Sequence, residues 1–273
     1  MGLMQELQET VDFIRRQVSG EASIGIILGS GLGNLSQEIS IEQEISYAGI
    51  PHFPVSTVEG HSGKLILGEL GGKKVWAMSG RFHYYEGYGP AQVAYPVRVM
   101  HMLGVKTLLL SNAAGGVNPA FSIGDLMIIK DHISLFTINP LIGKNEPALG
   151  TRFPDMSEPY SKALIHKVKE IAQANGIPLQ EGVYTGVTGP TFETRAEYRL
   201  IHLAGGDAVG MSTVQETIAA IHCGMKVFAM SVITDLGIRE EENTITHEEV
   251  LQAARDAEPK LTLLFRELVR SIG

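Results

Sequence analysis

Among 273 residues there is a single cysteine, Cys223. An intrachain disulfide framework is therefore excluded, and a reducing, cytoplasmic setting is expected. Basic residues are few and scattered: 22 Lys and Arg against 30 Asp and Glu leave a formal charge of −8. No Lys/Arg block exists that could track a nucleic-acid backbone, which argues against DNA or RNA as a partner. A small anion can still be held, because a local site can be positive on an acidic protein. No run of 18 apolar residues is present, so no membrane-spanning helix and no membrane partner is expected. The opening stretch, Met1 to Val18, mixes Gln, Glu, Asp and Arg with its apolar residues and reads as an amphipathic helix, not a signal peptide. Repeats, low-complexity tracts and long linkers are missing too, so one domain over residues 1–273 is the expectation. Two phosphate-binding signatures are also absent. There is no GxxxxGK[ST], and Gly29–Gly33 has GxGxG spacing with Asn34 where a dinucleotide fingerprint needs a further glycine. That spacing weakens the reading as a nicotinamide-dependent oxidoreductase.

What is present is a series of apolar runs that open into small or polar residues. Ile24–Leu28 reads as a buried strand leading into Gly29-Ser30-Gly31-Leu32-Gly33. Lys64–Leu70 and Lys73–Ser79 read as a hairpin through Gly71-Gly72. The second of them opens into Gly80-Arg81-Phe82-His83-Tyr84-Tyr85-Glu86, where the fork of Arg81 and the imidazole of His83 suit a tetrahedral oxyanion. Val105–Ser111 is a strand expected to end in an Asn112–Gly116 loop. Asp125–Leu135 is a further strand, and positions 137–159 read as a long surface excursion. Asp207–Val209 precedes Gly210-Met211-Ser212-Thr213, and Val227–Ile233 precedes Thr234-Asp235.

Helices are marked by their ends. Pro90 opens one that runs to about Leu103, with Pro96 expected to kink or split it. Ser161–Asn175 is amphipathic and stops at Gly176. Capping boxes are spelled by Thr194/Glu197, Ser212/Gln215, Thr213/Glu216 and Thr246/Glu249. Glu193 stands just outside one such helix, beside Phe192, where a carboxylate can accept N–H donors from a ligand edge while the ring stacks on its face. Collected at one sheet edge, these segments give an anion site from Ser30, His61, Arg81, His83 and Ser212. Beside it lies a planar pocket from Ala113, Ala114, Phe192, Glu193 and Asp235.

With those residues in hand, the sequence resembles the trimeric, low-molecular-mass purine nucleoside phosphorylases of the inosine/guanosine type. The resemblance spans nearly the whole chain, from LGSGLG (Leu28–Gly33) through EGHSG, GRFHYYEGY, NAAGG, GPTFET and VGMST to THEEV (Thr246–Val250). It implies a single-domain three-layer α/β/α fold with a mixed central sheet, and a homotrimer. It implies phosphate binding by Ser30, His61, Arg81, His83, Ala113 and Ser212, and ribose contacts from Tyr85, Met211 and His247. Phe192 and Glu193 would hold the purine, and the residue at position 235 would stabilise N7 and O6 of the leaving base. His83, Glu193, Asp235 and His247 are thus the expected catalytic groups. Phosphate is itself the nucleophile, so no metal and no other cofactor is expected.

Two positions depart from the family pattern. The 6-oxopurine enzymes typically carry asparagine where this chain has Asp235. An ionised aspartate only accepts hydrogen bonds, which suits a 6-amino group. Either Asp235 is protonated in the pocket or specificity is broadened toward adenosine or methylthioadenosine. Leu149 aligns with a phenylalanine that in many relatives reaches into the neighbouring subunit's ribose site. Competing readings are the nicotinamide enzyme, a non-catalytic purine-binding protein, a nucleoside hydrolase indifferent to phosphate, and a 6-aminopurine phosphorylase.

Overall fold

The computed structural model describes residues 2–29, 33–55, 57, 62–238 and 246–273, with Asn34 described by its backbone only. The apolar runs become the centre of a mixed sheet. Strand β1 (Ile24–Ile27) is buried along its whole length. It lies parallel to both β4 (Lys73–Ser79) and β5 (Thr107–Gly116). Strands covered on both faces read as continuous apolar runs, as these do. Strand β3 (Lys64–Leu70) pairs antiparallel with β4. Gly71 and Gly72 make the turn with φ of 57° and 81°, the left-handed values that a two-residue hairpin of this twist requires. Strand β2 (Ser40–Ser46) lies outside β3 at the edge.

On the other side of β5 the sheet closes on itself. The order runs β5, β8 (Ala208–Gly210), β7 (Gln180–Gly186), β6 (Leu126–Ile133), β9 (Lys226–Leu236), and β9 pairs back onto β5. Helices flank the sheet: α1 (Leu3–Gln17), α2 (Pro90–Val93), α3 (Tyr95–Met102), α4 (Lys162–Ala174), α5 (Arg195–Leu203), α6 (Val214–His222) and α7 (His247–Ser271). Pro96 does split its helix, with Ala94 as the joint between α2 and α3. One apolar cluster runs from Leu7 on α1 to Val269 on α7. This is the mixed α/β architecture expected from the sequence. No helix among the described residues is long and apolar enough to cross a membrane.

Three expectations are corrected. Asn112–Gly116 is not a loop: it continues β5, pairing with β9 as far as Gly116↔Leu236 across a register shift between Ala114 and Gly115. Its small residues tolerate this because β8 pairs with it from the other side. Thr234 and Asp235 likewise lie inside β9, not beyond it. Strands β2 and β7 were not anticipated. In β2 most positions are polar and exposed, so neither alternation nor an apolar run marks it.

Candidate active site

The ends of β4, β5, β8 and β9 and the starts of α6 and α7 converge on one pocket. It is lined by Arg81, His83, Tyr85, Ala113, Ala114, Phe192, Glu193, Met211, Ser212, Asp235 and His247, together with Asn112, Gly115, Tyr198, Val209, Gly210 and Val250. Of the residues singled out from the sequence, Ser30 and His61 lie outside the described residues. Leu149 is elsewhere: it is 5% exposed and packed in this chain's own core. It therefore does not present its side chain to a neighbour.

At the end of the pocket nearest α6, Arg81 follows Gly80 at the end of β4 and is 1% exposed. Its Nε and Nη2 donate to the two carboxylate oxygens of Glu216, each at 3.1 Å, and Nη1 donates to the Ser111 carbonyl at 2.6 Å. The fork is thus fixed in plane by a buried carboxylate from α6. Glu216 also accepts from the backbone N–H of Thr213 at 2.7 Å. One side chain therefore caps its own helix and orients the guanidinium. Sequence spacing revealed only the first of these tasks.

Thr213 itself has φ of 71° and ψ of −45°. The Val214 N–H donates across it to the Ser212 carbonyl at 2.7 Å, which makes a tight three-residue γ-turn, a strained conformation for a non-glycine. The Asn112 amide donates to the Thr213 hydroxyl at 2.9 Å and helps hold the turn. The consequence is that Ser212 faces the pocket at the head of α6, where unpaired helix N–H groups favour an anion.

His83 is backed by a second carboxylate. Its Nδ1 lies 3.1 Å from Glu86 Oε1, which also accepts from the His83 backbone N–H at 2.7 Å. Glu86 Oε2 accepts from the Thr57 N–H and hydroxyl at 2.8 and 2.7 Å. Burial acts to raise the Glu86 pKa, but the hydrogen bonds from His83 and Thr57 win and hold it at about 2. An ionised Glu86 at Nδ1 makes that nitrogen the donor and turns the other edge of the ring to the pocket. Tyr85 stacks on the same ring at 4.7 Å and 15°. Burial pushes its phenol up to about 12, and Glu86 pushes the same way, so it stays protonated.

Glu86 carries a prediction. Glu86→Gln would set an amide N–H₂ against donors, and it should raise KM for phosphate by roughly tenfold, the cost of about one misplaced hydrogen bond. Steady-state kinetics with varied phosphate reads this. The folded pKa of about 2 lies below the ordinary 4.5. The stability that Glu86 contributes is therefore complete above pH 4.5 and lost as pH falls toward 2, a limb that the variant should lack.

The opposite end of the pocket is apolar with acidic corners. Met211 packs on Gly189, where an added Cβ would meet its sulfur at 2.3 Å, so no side chain is tolerated there. Phe192 is 41% exposed and borders the opening. The Asp235 carboxyl sits against Gly115, where a Cβ would come within 2.9 Å of Oδ2. Thr234 donates to Asp235 Oδ1 at 3.1 Å. Burial raises the Glu193 pKa from its ordinary value, and the Asp235 charge adds to the rise. His247 is the first residue of α7, whose N-terminus is closed by the Thr246/Glu249 box.

Comparison with known proteins gives this pocket a family. A model of the phosphorylase superfamily matches residues 23–270. Purine nucleoside phosphorylase 1 of Geobacillus stearothermophilus is 49% identical over 267 residues, 98% of this chain and 97% of that protein. The chain belongs to the phosphorylase superfamily and, within it, to the purine nucleoside phosphorylases. Solved purine nucleoside phosphorylases superpose closely. Isoform 2 from Schistosoma mansoni, in complex with cytosine and ribose-1-phosphate, gives a TM-score of 0.92 at 43% identity, covering 98% of this chain and 97% of that one. A Schistosoma mansoni purine nucleoside phosphorylase solved with adenosine, and a schistosoma purine nucleoside phosphorylase solved with hypoxanthine, each give 0.92 at 40% identity, covering 99% of this chain and 98% of that one.

The sequence did not point to Asn112, Glu216 or Glu86 as functional. Each acts through a partner far along the chain or through a backbone cap, and neither leaves a local signature. Tyr198 was also missed, because it reads as an ordinary buried position of an amphipathic helix.

Proposed function

We propose that this enzyme phosphorolyses purine ribo- and deoxyribonucleosides, inosine and guanosine in preference, to the free base and (deoxy)ribose 1-phosphate, in purine salvage. The observation that supports it is the convergence of Arg81, His83 and Ser212 at one end of a pocket whose other end holds Phe192, Glu193 and Asp235. Inorganic phosphate is bound at the first end and purine at the second. A phosphate oxygen forms the new bond to C1′ as the bond from C1′ to purine N9 breaks. The base leaves with the bonding electrons and is protonated. Positive charge grows on the ribose and is countered by the phosphate, so the protein's work is positioning and electrostatic stabilisation. Ser30, His61 and Ala113 complete the phosphate set in this reading. Tyr85, Met211 and His247 hold the ribose, His247 at the 5′-hydroxyl. Glu193 accepts from N1–H and from a 2-amino group. No metal or organic cofactor is assigned a part in this scheme. The complexes of relatives with ribose-1-phosphate and with hypoxanthine support the phosphate and 6-oxopurine assignments.

One observation favours a second reading. Asp235 is an acceptor where O6 needs a donor, and a relative binds adenosine. The test is kcat/KM for inosine, guanosine, adenosine and methylthioadenosine at saturating phosphate. Higher values for inosine and guanosine are expected. Higher values for the 6-amino substrates would make the enzyme an adenosine or methylthioadenosine phosphorylase.

A homotrimer in the cytoplasm completes the proposal. Leu135, Phe136, Ile138, Ile142 and Phe153 on and beside the long excursion, and Leu200 and Leu203 on α5, are large apolar residues left exposed by the single chain. Large apolar side chains left exposed in this number fit contact with another chain. Leu200→Glu with Leu203→Glu should reduce the mass measured by light scattering from three chains to one. An unchanged trimer would place the interface elsewhere.

A further inference from the structure

The base end holds one more polar side chain, and neither the sequence motifs nor the family resemblance assigns it a role. Tyr198 lies in the first turn of α5, its N–H donating to the carbonyl of the capping Thr194 at 3.0 Å. It is 4% exposed. Its ring lies flat against Gly237, where an added Cβ would come within 2.2 Å of a ring carbon, so the position of the ring is fixed by the end of β9. The residue lines the pocket together with Glu193 and Asp235. Its hydroxyl is fully enclosed, and it turns toward the Glu193 carboxylate without reaching a hydrogen bond of regular geometry. A buried hydroxyl without a well-formed hydrogen bond costs free energy unless something completes it, and here the pocket is where a better partner can come from.

The chemistry of the ligand identifies that partner. A 6-oxopurine presents an acceptor at O6 and a donor at N1 on the same edge. When ionised, the carboxylates at 193 and 235 accept but do not donate. The remaining described side chains at this end are Ala114, Phe192, Val209 and Met211, none of which has a polar hydrogen to give. The Tyr198 phenol does. Burial first, then the charges of Asp235 and Glu193, the interaction of the hydroxyl with the Glu193 carboxylate and the Glu197 charge push its pKa up, so its proton is retained.

We propose that Tyr198 determines base specificity: its hydroxyl donates to the 6-oxo oxygen of the bound purine, the hydrogen bond that a carboxylate at position 235 is unable to supply. The proposal rests on the pocket being a 6-oxopurine nucleoside site. It accounts for Asp235 in an enzyme that handles inosine, because the missing donor is delivered from α5. Glu193 then takes N1–H, and Asp235 is left to accept from N7–H as the base leaves.

The test compares wild type, Tyr198→Phe, Asp235→Asn and the double variant, each with inosine and with adenosine at saturating phosphate. Phenylalanine keeps the ring over Gly237 and removes only the O–H. Tyr198→Phe should lower kcat/KM for inosine roughly tenfold, the value of about one hydrogen bond, while adenosine falls little, so the inosine/adenosine ratio drops. Adding Asp235→Asn should restore inosine, because the asparagine amide is a donor. A purely structural role would lower both substrates together. The proposal is overturned if the ratio is unchanged in Tyr198→Phe, or if Asp235→Asn fails to restore inosine in the double variant. A wild-type enzyme inert toward inosine overturns the underlying 6-oxopurine reading, and this proposal with it. Wild-type activity on inosine with an unchanged ratio in Tyr198→Phe overturns this proposal alone.

Discussion

Arg81→Met is expected to abolish most phosphorolysis and to weaken the fold at the same time. The guanidinium is buried and locked to the Glu216 carboxylate through two hydrogen bonds of 3.1 Å. In the proposed reading it is a fixed cation beside the phosphate, and it would stabilise charge in the transition state at no cost of reorganisation. Losing such a donor should cost about 100- to 1,000-fold in kcat. The substitution also strands Glu216, which is only 3% exposed, as an uncompensated buried charge. Breaking a buried pair from one side typically destabilises by about 3–5 kcal/mol. The two effects separate in the double variant Arg81→Met/Glu216→Gln. Removing the stranded charge should recover much of the lost stability, read as the midpoint of thermal unfolding, and none of the activity. Equal stability in single and double variants would mean that the pair is not the buried, unscreened contact described above.

Glu193→Gln should produce the second large loss. In the proposed reading the ionised Glu193 carboxylate accepts from N1–H and from a 2-amino group, and hydrogen bonds to a charged group contribute about 1.5–3 kcal/mol each. A glutamine retains one acceptor and turns an N–H₂ toward the same edge, so kcat/KM for guanosine should fall roughly 10- to 100-fold. The pH profile carries the sign. Burial, followed by the Asp235 charge, raises the Glu193 pKa above the ordinary 4.5. The active form is the ionised one, so activity is present above the raised pKa and is lost as pH falls through it. The acid limb of kcat/KM should therefore begin at a higher pH than an ordinary glutamate would give. In Glu193→Gln, only the titration of the phosphate substrate should remain. An unaltered limb in the variant would remove Glu193 from the base edge.

Much of this architecture is legible in the chain because it is locally encoded. Gly71-Gly72 fits a turn that needs positive φ twice. The Thr194/Glu197 and Thr246/Glu249 pairs mark helix starts, and in each the threonine hydroxyl accepts from the glutamate N–H at 3.3 Å. Pro96 divides a helix because it lacks the N–H and crowds the turn before it. What is not legible depends on partners distant in sequence. Asn112–Gly116 has the composition of a loop, since asparagine, alanine and glycine are poor strand formers. It is a strand because β9 and β8 flank it. The Arg81–Glu216 pair spans 135 positions, and nothing near Arg81 announces it. Thr213 spells a capping box, but its positive φ is imposed by the Asn112 and Glu216 contacts, not by its own preference. Tyr198 is the sharpest case: its spacing places it on the buried face of α5, as observed, and only the fold shows that this face ends at the base pocket.

Dependence of base release on inorganic phosphate tests the central claim most directly. Inosine is incubated with the enzyme in phosphate and in a phosphate-free buffer, and both hypoxanthine and the sugar product are measured. The account predicts release only with phosphate, with ribose 1-phosphate formed in equal amount, because the pocket binds the nucleophile at the end built by Arg81, His83 and Ser212. Hypoxanthine released at the same rate without phosphate, with free ribose as the sugar, would contradict it and make the enzyme a hydrolase.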